Sequence, residues 1–100
     1  MAKHTLKGEG KTKRVWLDGE ELTPEESEKF RVHSLDGFNW GYYGSGPAQL
    51  ALAIVLKITG SHYGYDTFRS SFISKIEYGK DFEVEFDDSM FYEKEVSHGK

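Results

Sequence analysis

One unbroken segment, residues 37–54, constrains the fold of this 100-residue chain more than any other part of it. It reads GFNWGYYGSGPAQLALAI, so an aromatic stretch runs into a glycine-rich bend and the bend runs into an apolar helix. Glycine relaxes the backbone, large aromatic side chains demand burial, and proline suits the first turn of a helix. The segment therefore predicts a helix over residues 47–59, capped by Ser45 or Gly46 and ended by Gly60 in a left-handed conformation.

The predicted helix is apolar on almost every side. Gln49, Ala53 and Lys57 are spaced by four and form the only line predicted to face solvent. A helix this apolar is either the central core element or part of a dimer interface. Because two short helices and three or four short strands leave part of such a helix uncovered, we expect its apolar surface to pair with a second copy in a homodimer.

The aromatic stretch before the bend allows two interpretations. Phe38, Trp40 and Tyr42 alternate with other residues, which is the period of a strand with its aromatic side chains on one face. The glycines fit a bulge or a loop nearly as well. Trp40, Tyr42 and Tyr43 are accordingly either core residues or a binding surface.

The N-terminal part of the chain predicts a small hairpin. Residues 3–9 form a first strand and residues 15–17 a second, and the Asp18-Gly19 dipeptide turns the chain back over residues 20–22.

Two helices are predicted besides the central one. Thr23 is expected to cap a short helix, with Pro24 at its first position and Glu26 completing a capping box. A longer amphipathic helix is expected over residues 67–78, capped by Asp66. Its apolar stripe consists of Phe68, Phe72, Ile73 and Ile76.

The last clear pattern is DFEVEFD over residues 81–87, a strand with apolar residues facing inward and acids facing outward. The order hairpin, helix, helix, strand predicts an α+β fold. We expect a small antiparallel sheet packed on the central helix at residues 47–59, with the second helix at 67–78 alongside. Residues 1–96 should form a single domain, with 97–100 as a disordered tail.

Composition excludes several kinds of function. The chain has no cysteine, so disulfides, thiol catalysis and cysteine metal sites are excluded. No apolar run follows the charged N-terminus, and residues 50–56 are too few to span a bilayer. We therefore expect a soluble cytoplasmic protein without membrane contact. The histidines are scattered without a metal-binding spacing, so no metal site is predicted. The sequence predicts no cofactor and no catalytic residue either.

Charge is uneven, with basic residues gathered near the N-terminus and an acidic excess in the rest of the chain. Basic side chains beside aromatic rings can hold nucleic acid by backbone contacts and base stacking. The candidate nucleic-acid-binding residues are Lys3, Lys7, Lys11, Lys13, Arg14 and Trp16. An overall pI of about 5.5 counts against nucleic-acid binding. Two solvated faces of opposite charge, which complement each other, account for the uneven charge without a bound partner.

The glycine-rich bend allows a weak anion site at the helix start, where backbone N–H groups attract negative charge. Its candidate residues are Gly44, Ser45, Gly46 and Ala48. The bend lacks the lysine of a phosphate-binding loop and the glycine spacing of a dinucleotide fingerprint, and Pro47 supplies no N–H group. Ser45 also lacks the flanking glycines of a nucleophile elbow.

The motifs GFNWGY, GSGP and QLALAI, all within residues 37–54, resemble the signature of a small prokaryotic family of unknown function. The early hairpin with Leu17, Asp18, Gly19 and Leu22 and the later helix and closing strand are similar too, so the resemblance covers most of residues 8–87. It implies a shared compact fold and an accessory role, some members being associated with mobile elements. It implies no activity, substrate or catalytic residue.

Three functions therefore stay open. The first is a non-enzymatic accessory or protein-interaction module that forms a homodimer or binds another protein. The second is a nucleic-acid-binding accessory protein that uses the basic hairpin and the aromatic residues. The third is a binder of an anion or phosphate ligand at the Gly44–Pro47 helix start.

Overall fold

The computed structural model describes residues 2–92 of the chain. These residues form a four-stranded antiparallel sheet and three α-helices, which confirms the predicted α+β class. The predicted tail, residues 97–100, lies outside the described residues. The strands are β1 (Lys3–Gly8), β2 (Val15–Leu17), β3 (Glu20–Leu22) and β4 (Phe82–Asp87). The helices are α1 (Glu25–Phe30), α2 (Ser45–Thr59) and α3 (Tyr65–Ser71), and short 3₁₀ helices cover Ile73–Lys75 and Asp88–Phe91.

The sheet has the strand order β3–β2–β1–β4, and the first three strands form the predicted hairpin. Leu6 of β1 lies opposite Leu17 of β2. Asp18 and Gly19 form the β2–β3 turn with φ values of 54° and 83°. Two left-handed residues in succession match the twist of a two-residue hairpin, so the turn prediction is confirmed.

Helix α2 packs on one face of the sheet and forms the centre of the core. Its residues 46–55 are all buried, and Gly60 ends it with a φ of 77°, as predicted. The same apolar cluster contains the sheet residues Leu6, Val15, Leu17 and Phe86. Because a single chain covers this much of α2, the reasoning that led to the homodimer is wrong, and the oligomeric state itself stays a prediction.

Gln49 departs most clearly from the solvent line predicted for α2. It is fully buried, and Ala53 is buried as well, so only Lys57 of that line is exposed. The side chain of Gln49 holds α1 and the loop after it against α2. Its hydrogen-bond partners are Ser27 Oγ (2.8 Å), Arg31 O (3.0 Å), His33 N (2.6 Å) and Ser34 N (3.1 Å).

The aromatic stretch before α2 is a loop and not a strand. Phe38 and Trp40 are buried, whereas Tyr42 and Tyr43 are exposed. The ring of Trp40 packs edge-on against Phe82 of β4, with 4.8 Å between the ring centres. The stretch therefore contributes both a core anchor and exposed aromatic surface.

Helix α2 begins at Ser45, two residues before the predicted start. Its N-cap residue is Gly44, whose backbone is extended with a φ of −166°, and no side chain caps the helix. The cap predicted at Ser45 or Gly46 is therefore wrong. Pro47 is the third helical residue and is buried, so it fills core volume as well as favouring the first turn.

Helix α1 has its N-cap at Pro24 and not at Thr23. The carboxylate of Glu26 lies 3.4 Å from Lys29 Nζ, one turn further along the helix. The predicted capping box is thus not formed, because the N-cap residue is a proline and no side chain caps the helix.

Helix α3 is shorter than the helix predicted over residues 67–78. It starts after Gly64, whose φ is 86°, so Asp66 lies in the first turn and is not the cap. It ends at Ser71, whose hydroxyl donates to the carbonyl of Thr67 at 2.7 Å, a local bond that competes with a regular helix. The predicted apolar residues Phe68, Ile73 and Ile76 are nevertheless buried. None of the helices in residues 2–92 has the length and apolar character required to cross a membrane.

Candidate functional site

The outer face of the sheet, which points away from α2, carries exposed side chains of both charges. Successive side chains of a strand alternate between faces, so the buried Leu6 and Phe86 place their neighbours on the outer side. The cross-strand neighbours there are Lys3 with Asp87, Thr5 with Glu85, and Lys7 with both Glu83 and Trp16. Lysines of β1 and acids of β4 therefore lie side by side.

Trp16 lies in the middle of this outer face and is half-buried. It lies opposite Lys7 of β1 and Glu21 of β3. The guanidinium carbon of Arg14 is 5.1 Å from the centre of the indole ring, within cation–π distance. A depression of about 390 Å³ adjoins the ring and is lined by Thr5, Lys7, Trp16, Gly19 and Glu83. The face thus offers one aromatic surface with basic and acidic groups around it.

Arg14 is held in place by a two-pronged contact with Glu21. Its Nε and Nη2 atoms donate to the two carboxylate oxygens at 3.0 and 2.9 Å. These hydrogen bonds, together with the positive charge, favour the ionised carboxylate and lower the pKa of Glu21 below its usual value. The guanidinium over Trp16 is therefore already oriented and paired.

The other predicted nucleic-acid-binding residues are only partly brought together. Lys3 and Lys7 share the outer face with Trp16, each beside an acid of β4. Lys11 is exposed in the β1–β2 connection. Lys13 turns towards the α2 side, where its Nζ atom lies 4.9 Å from the centre of the Trp40 ring. The predicted set does not form a continuous basic surface.

The predicted anion site at the start of α2 retains few free donors. The N–H of Ala48 donates to the carbonyl of Gly44 at 3.0 Å, and Pro47 has no N–H. Ser45 and Gly46 hold the remaining N–H groups of the first turn, and Gly46 is buried. The first turn thus leaves two N–H groups, one of them in the interior, for the predicted anion.

Arg69 lies beside this helix start, and the sequence did not predict it as a site residue. Its guanidinium stacks over the Tyr43 ring with 3.9 Å to the ring centre, and its Nη2 atom donates to the Tyr43 hydroxyl at 2.5 Å. The same nitrogen contacts the carboxylate of Asp66, and Nη1 lies 3.4 Å from the carbonyl of Gly44. Arg69 is the third residue of the amphipathic helix predicted over residues 67–78, and that pattern gives no local signal of a contact with the bend.

Strand β4 is an edge strand, paired with β1 along its whole length. Glu83, Glu85 and Asp87 are exposed along it, and the half-buried Phe82 and Val84 alternate with them. The alternation was visible in the sequence. The free edge was not, because it depends on which strand β4 joins.

A larger groove of about 710 Å³ lies between α1, β3 and the C-terminal half of α2. Its apolar lining includes Leu22, Ala53 and Leu56, and its rim carries Glu26 and Lys29. Those two rim charges pair with each other, with 3.4 Å between Glu26 Oε2 and Lys29 Nζ. Glu21 and Lys57 also line it, so two acids balance two lysines. The groove therefore selects no particular ligand by charge, and the outer face of the sheet is the stronger candidate.

No group of three histidine, aspartate or glutamate side chains that could hold a metal ion occurs in the part of the chain that the structure describes. The imidazole of His33 lies 2.9 Å from the hydroxyl of Tyr65. Burial and the charges of Arg31 and Arg69 lower the pKa of His33. The ring of His62 stacks on Phe30, with 4.7 Å between the ring centres. Both histidines thus have structural contacts.

Comparison with known proteins gives one match. The model of a family described as "Family of unknown function (DUF6166)" matches residues 4–92. No curated protein and no solved structure matches the chain. The matched region includes the whole sheet except the first residue of β1, together with all three helices.

Proposed function

The chain belongs to the DUF6166 family of unknown function, and we propose that it is a non-enzymatic protein-interaction module that binds its partner through the outer face of the sheet. The observation that supports this most is Trp16, half-buried among basic and acidic side chains on an exposed surface. Tryptophan and arginine are enriched among the residues that dominate protein–protein binding energy. Trp16 and Arg14 would form the centre of the interface.

The surroundings of Trp16 favour a protein as the partner. Arg14 is already fixed by Glu21 and lies over the indole ring, so covering the pair costs little further side-chain entropy. Charges of both signs surround the pair, which matches the polar rim of a protein interface. A partner protein can offer both signs in return.

Nucleic-acid binding is the alternative that Trp16 also supports, because a base can stack on an indole ring. A nucleic-acid backbone is uniformly negative, however, and the acids of β4 lie directly beside the lysines of β1. That neighbourhood reduces the attraction on which such binding depends. An anion site at Ser45 and Gly46 has less support still, since only two amides of the first turn are unused.

Site-specific photo-crosslinking tests the protein-interaction proposal. A photoreactive amino acid at position 5 lies beside Trp16, and one at position 35 provides a control on a loop where Leu35 is 92% exposed. In the native host, we expect a discrete protein adduct from position 5 that disappears in Trp16→Ala and is missing from position 35. Equal adducts from both positions, or adducts with nucleic acid alone, would contradict the proposal.

Fluorescence anisotropy with labelled single-stranded and duplex DNA tests the alternative. Binding by phosphate contacts weakens steeply as salt rises. We expect no salt-dependent binding in the micromolar range. A salt-dependent complex that weakens in Lys3→Gln/Lys7→Gln would instead favour nucleic acid.

A further inference from the structure

We infer that the free edge of β4 binds an extended basic segment of the partner protein by antiparallel strand addition. The inference rests on the proposed function, since it names the kind of partner that the sheet receives. The sheet has two edge strands, and β4, with six residues, is twice as long as β3, with three. Main-chain hydrogen bonds provide the affinity when a peptide joins a sheet edge, so the longer edge is the better template.

Within residues 2–92, the backbone groups of β4 that have no hydrogen-bond partner belong to Glu83, Glu85 and Asp87. The N–H of Asp88 donates to the carbonyl of Ala2 at 2.9 Å, which makes these two residues a hydrogen-bonded pair in the register of β1 and β4. Hydrogen-bonded and non-hydrogen-bonded pairs alternate along an antiparallel ladder. The even-numbered residues of β4 therefore bond to β1, and the odd-numbered ones direct their N–H and C=O groups to the free edge. No backbone hydrogen bond from elsewhere in residues 2–92 reaches those groups.

These odd-numbered residues also carry the acids of the outer face. Glu83 and Glu85 are exposed and take part in none of the ion pairs found among residues 2–92. A strand that bonds to their backbone places its own side chains directly opposite theirs, at a Cα separation of about 5.5 Å. Lysine or arginine at those positions would pair with the carboxylates.

Strand β1, with the sequence KHTLKG, shows what β4 accepts as a neighbour. Its outward lysines lie opposite Asp87 and Glu83, and its Leu6 lies opposite Val84 on the inner side. Phe82 and Val84 are only half-buried, so apolar side chains from a strand on the free edge would cover them. The expected partner segment thus alternates basic and apolar residues.

The same charges disfavour a second copy of β4 as the occupant. Two β4 strands in antiparallel register would place acids opposite acids on one face, which destabilises the pair. Charged side chains commonly prevent exposed edge strands from pairing with copies of themselves. In β4 they leave the edge open to a basic strand.

Two N-methylated peptides separate strand addition from simple charge attraction. Both are acetylated and amidated octapeptides of alternating lysine and valine, methylated on the valine nitrogens in one and on the lysine nitrogens in the other. The lysine N–H groups would donate to β4, whereas the valine N–H groups would point to solvent. We expect the valine-methylated peptide to bind, shifting the amide resonances of residues 83, 85 and 87. The lysine-methylated peptide should bind at least about tenfold more weakly, because it cannot form these hydrogen bonds.

A pair of matched variants tests the role of charge. Glu83→Gln/Glu85→Gln keeps the backbone donors and should weaken the valine-methylated peptide between about twofold and thirtyfold, measured by calorimetry. Glu25→Gln/Asp36→Asn makes the same change in net charge at exposed positions outside the sheet and should leave the affinity unchanged. An equal loss of affinity in both variants would show that net charge alone drives peptide binding, and would overturn the inference.

The outcomes for the edge and for the proposed function are distinct. Equal binding of the two peptides, or shifts confined to the outer face around Thr5 and Trp16, would overturn strand addition and leave the protein-interaction function standing. Failure of the valine-methylated peptide to bind would overturn strand addition as well. Crosslinking at position 5 tests the proposed function on its own.

Discussion

The Nδ1 atom of His4 lies 2.7 Å from a carboxylate oxygen of Asp18. The other ring nitrogen, Nε2, lies 2.9 Å from a carboxylate oxygen of Asp88, so one imidazole joins β1, the β2–β3 turn and the 3₁₀ helix after β4. A neutral imidazole donates one hydrogen bond, whereas a protonated imidazole donates two. Both contacts are therefore satisfied only when His4 carries a positive charge.

The electrostatics of this clasp, formed by His4, Asp18 and Asp88, follow from the same geometry. Partial burial acts to lower the pKa of His4, but hydrogen bonds to the two carboxylates and their charges together outweigh it and raise the pKa above its ordinary value. In return, the hydrogen bond with His4 lowers the pKa of Asp18 and that of Asp88. Each group thus favours the charged form of the others.

The clasp should contribute most to stability in mildly acidic solution. The contribution of His4 is complete below the unfolded pKa of about 6.5 and is lost as the pH rises through the raised folded value. The contribution of the aspartates is complete above about pH 3.9 and is lost as the pH falls through their lowered folded values. The difference in melting temperature between the wild type and His4→Gln should therefore be largest between about pH 4 and 6.5 and shrink on either side. A difference that stays constant from pH 3 to 9 would contradict this.

Trp40 is predicted to be a major core residue. Its side chain is fully buried and packs on Phe82, so Trp40→Ala should lower the free energy of unfolding by about 3–5 kcal/mol. Trp40→Phe should cost less, because it keeps an aromatic ring and removes an indole N–H that has no hydrogen-bond partner among residues 2–92. Urea denaturation followed by circular dichroism measures both. An unchanged midpoint for Trp40→Ala would mean that the ring is exposed in solution.

The parts of the fold that local patterns determine were predictable. The Asp18-Gly19 turn, the alternating strand β4 and the apolar α2 each carry their signal within a few residues. Gln49 was misjudged because its spacing along α2 matches a solvent-facing line. The loop at residues 31–36 folds over that line, and the burial of Gln49 is set by the backbone groups that this distant loop brings to it.

The candidate site was predictable in its residues but not in its arrangement. Trp16 and Arg14 belong to the six residues predicted to bind nucleic acid, and these two do lie together. The pairing of β1 with β4 could not be foreseen, because it joins the two ends of the described chain. That pairing places acids beside the lysines and makes β4 an edge strand, and the proposed binding depends on both features.

Gln49 should be indispensable for the loop that follows α1. Gln49→Leu replaces the amide by an apolar side chain of similar size and leaves the N–H groups of His33 and Ser34 without their hydrogen-bond acceptor. Each buried group left unpaired costs about 1–3 kcal/mol, so the free energy of unfolding should fall by several kcal/mol. Lys57→Leu, on the same predicted line but exposed, provides the control and should have little effect. Faster amide exchange at His33 and Ser34 in Gln49→Leu would locate the loss in the loop.

Gly44 and Gly46 are predicted to differ sharply in their tolerance of a methyl group. The φ of Gly44 is −166°, an extended conformation that any residue adopts, so backbone strain does not restrict this position. A Cβ atom there would lie 2.5 Å from the Tyr42 ring, which is 41% exposed and can swing outward. Gly44→Ala should therefore change stability by less than about 1 kcal/mol.

At Gly46 the neighbour cannot move so easily. A Cβ atom there would lie 2.6 Å from the Cβ of Asn39 and 3.3 Å from its backbone nitrogen, and Gly46 itself is buried in the first turn of α2. Accommodating it requires the loop at residue 39 to shift away from the helix, and overpacking of this kind costs about 1–3 kcal/mol. Because residue 39 adjoins Trp40, the shift would also disturb the contact of that ring with Phe82. Thermal unfolding of the two alanine variants in parallel gives the comparison, and equal melting temperatures would show that the loop before α2 is not packed as tightly as these distances require.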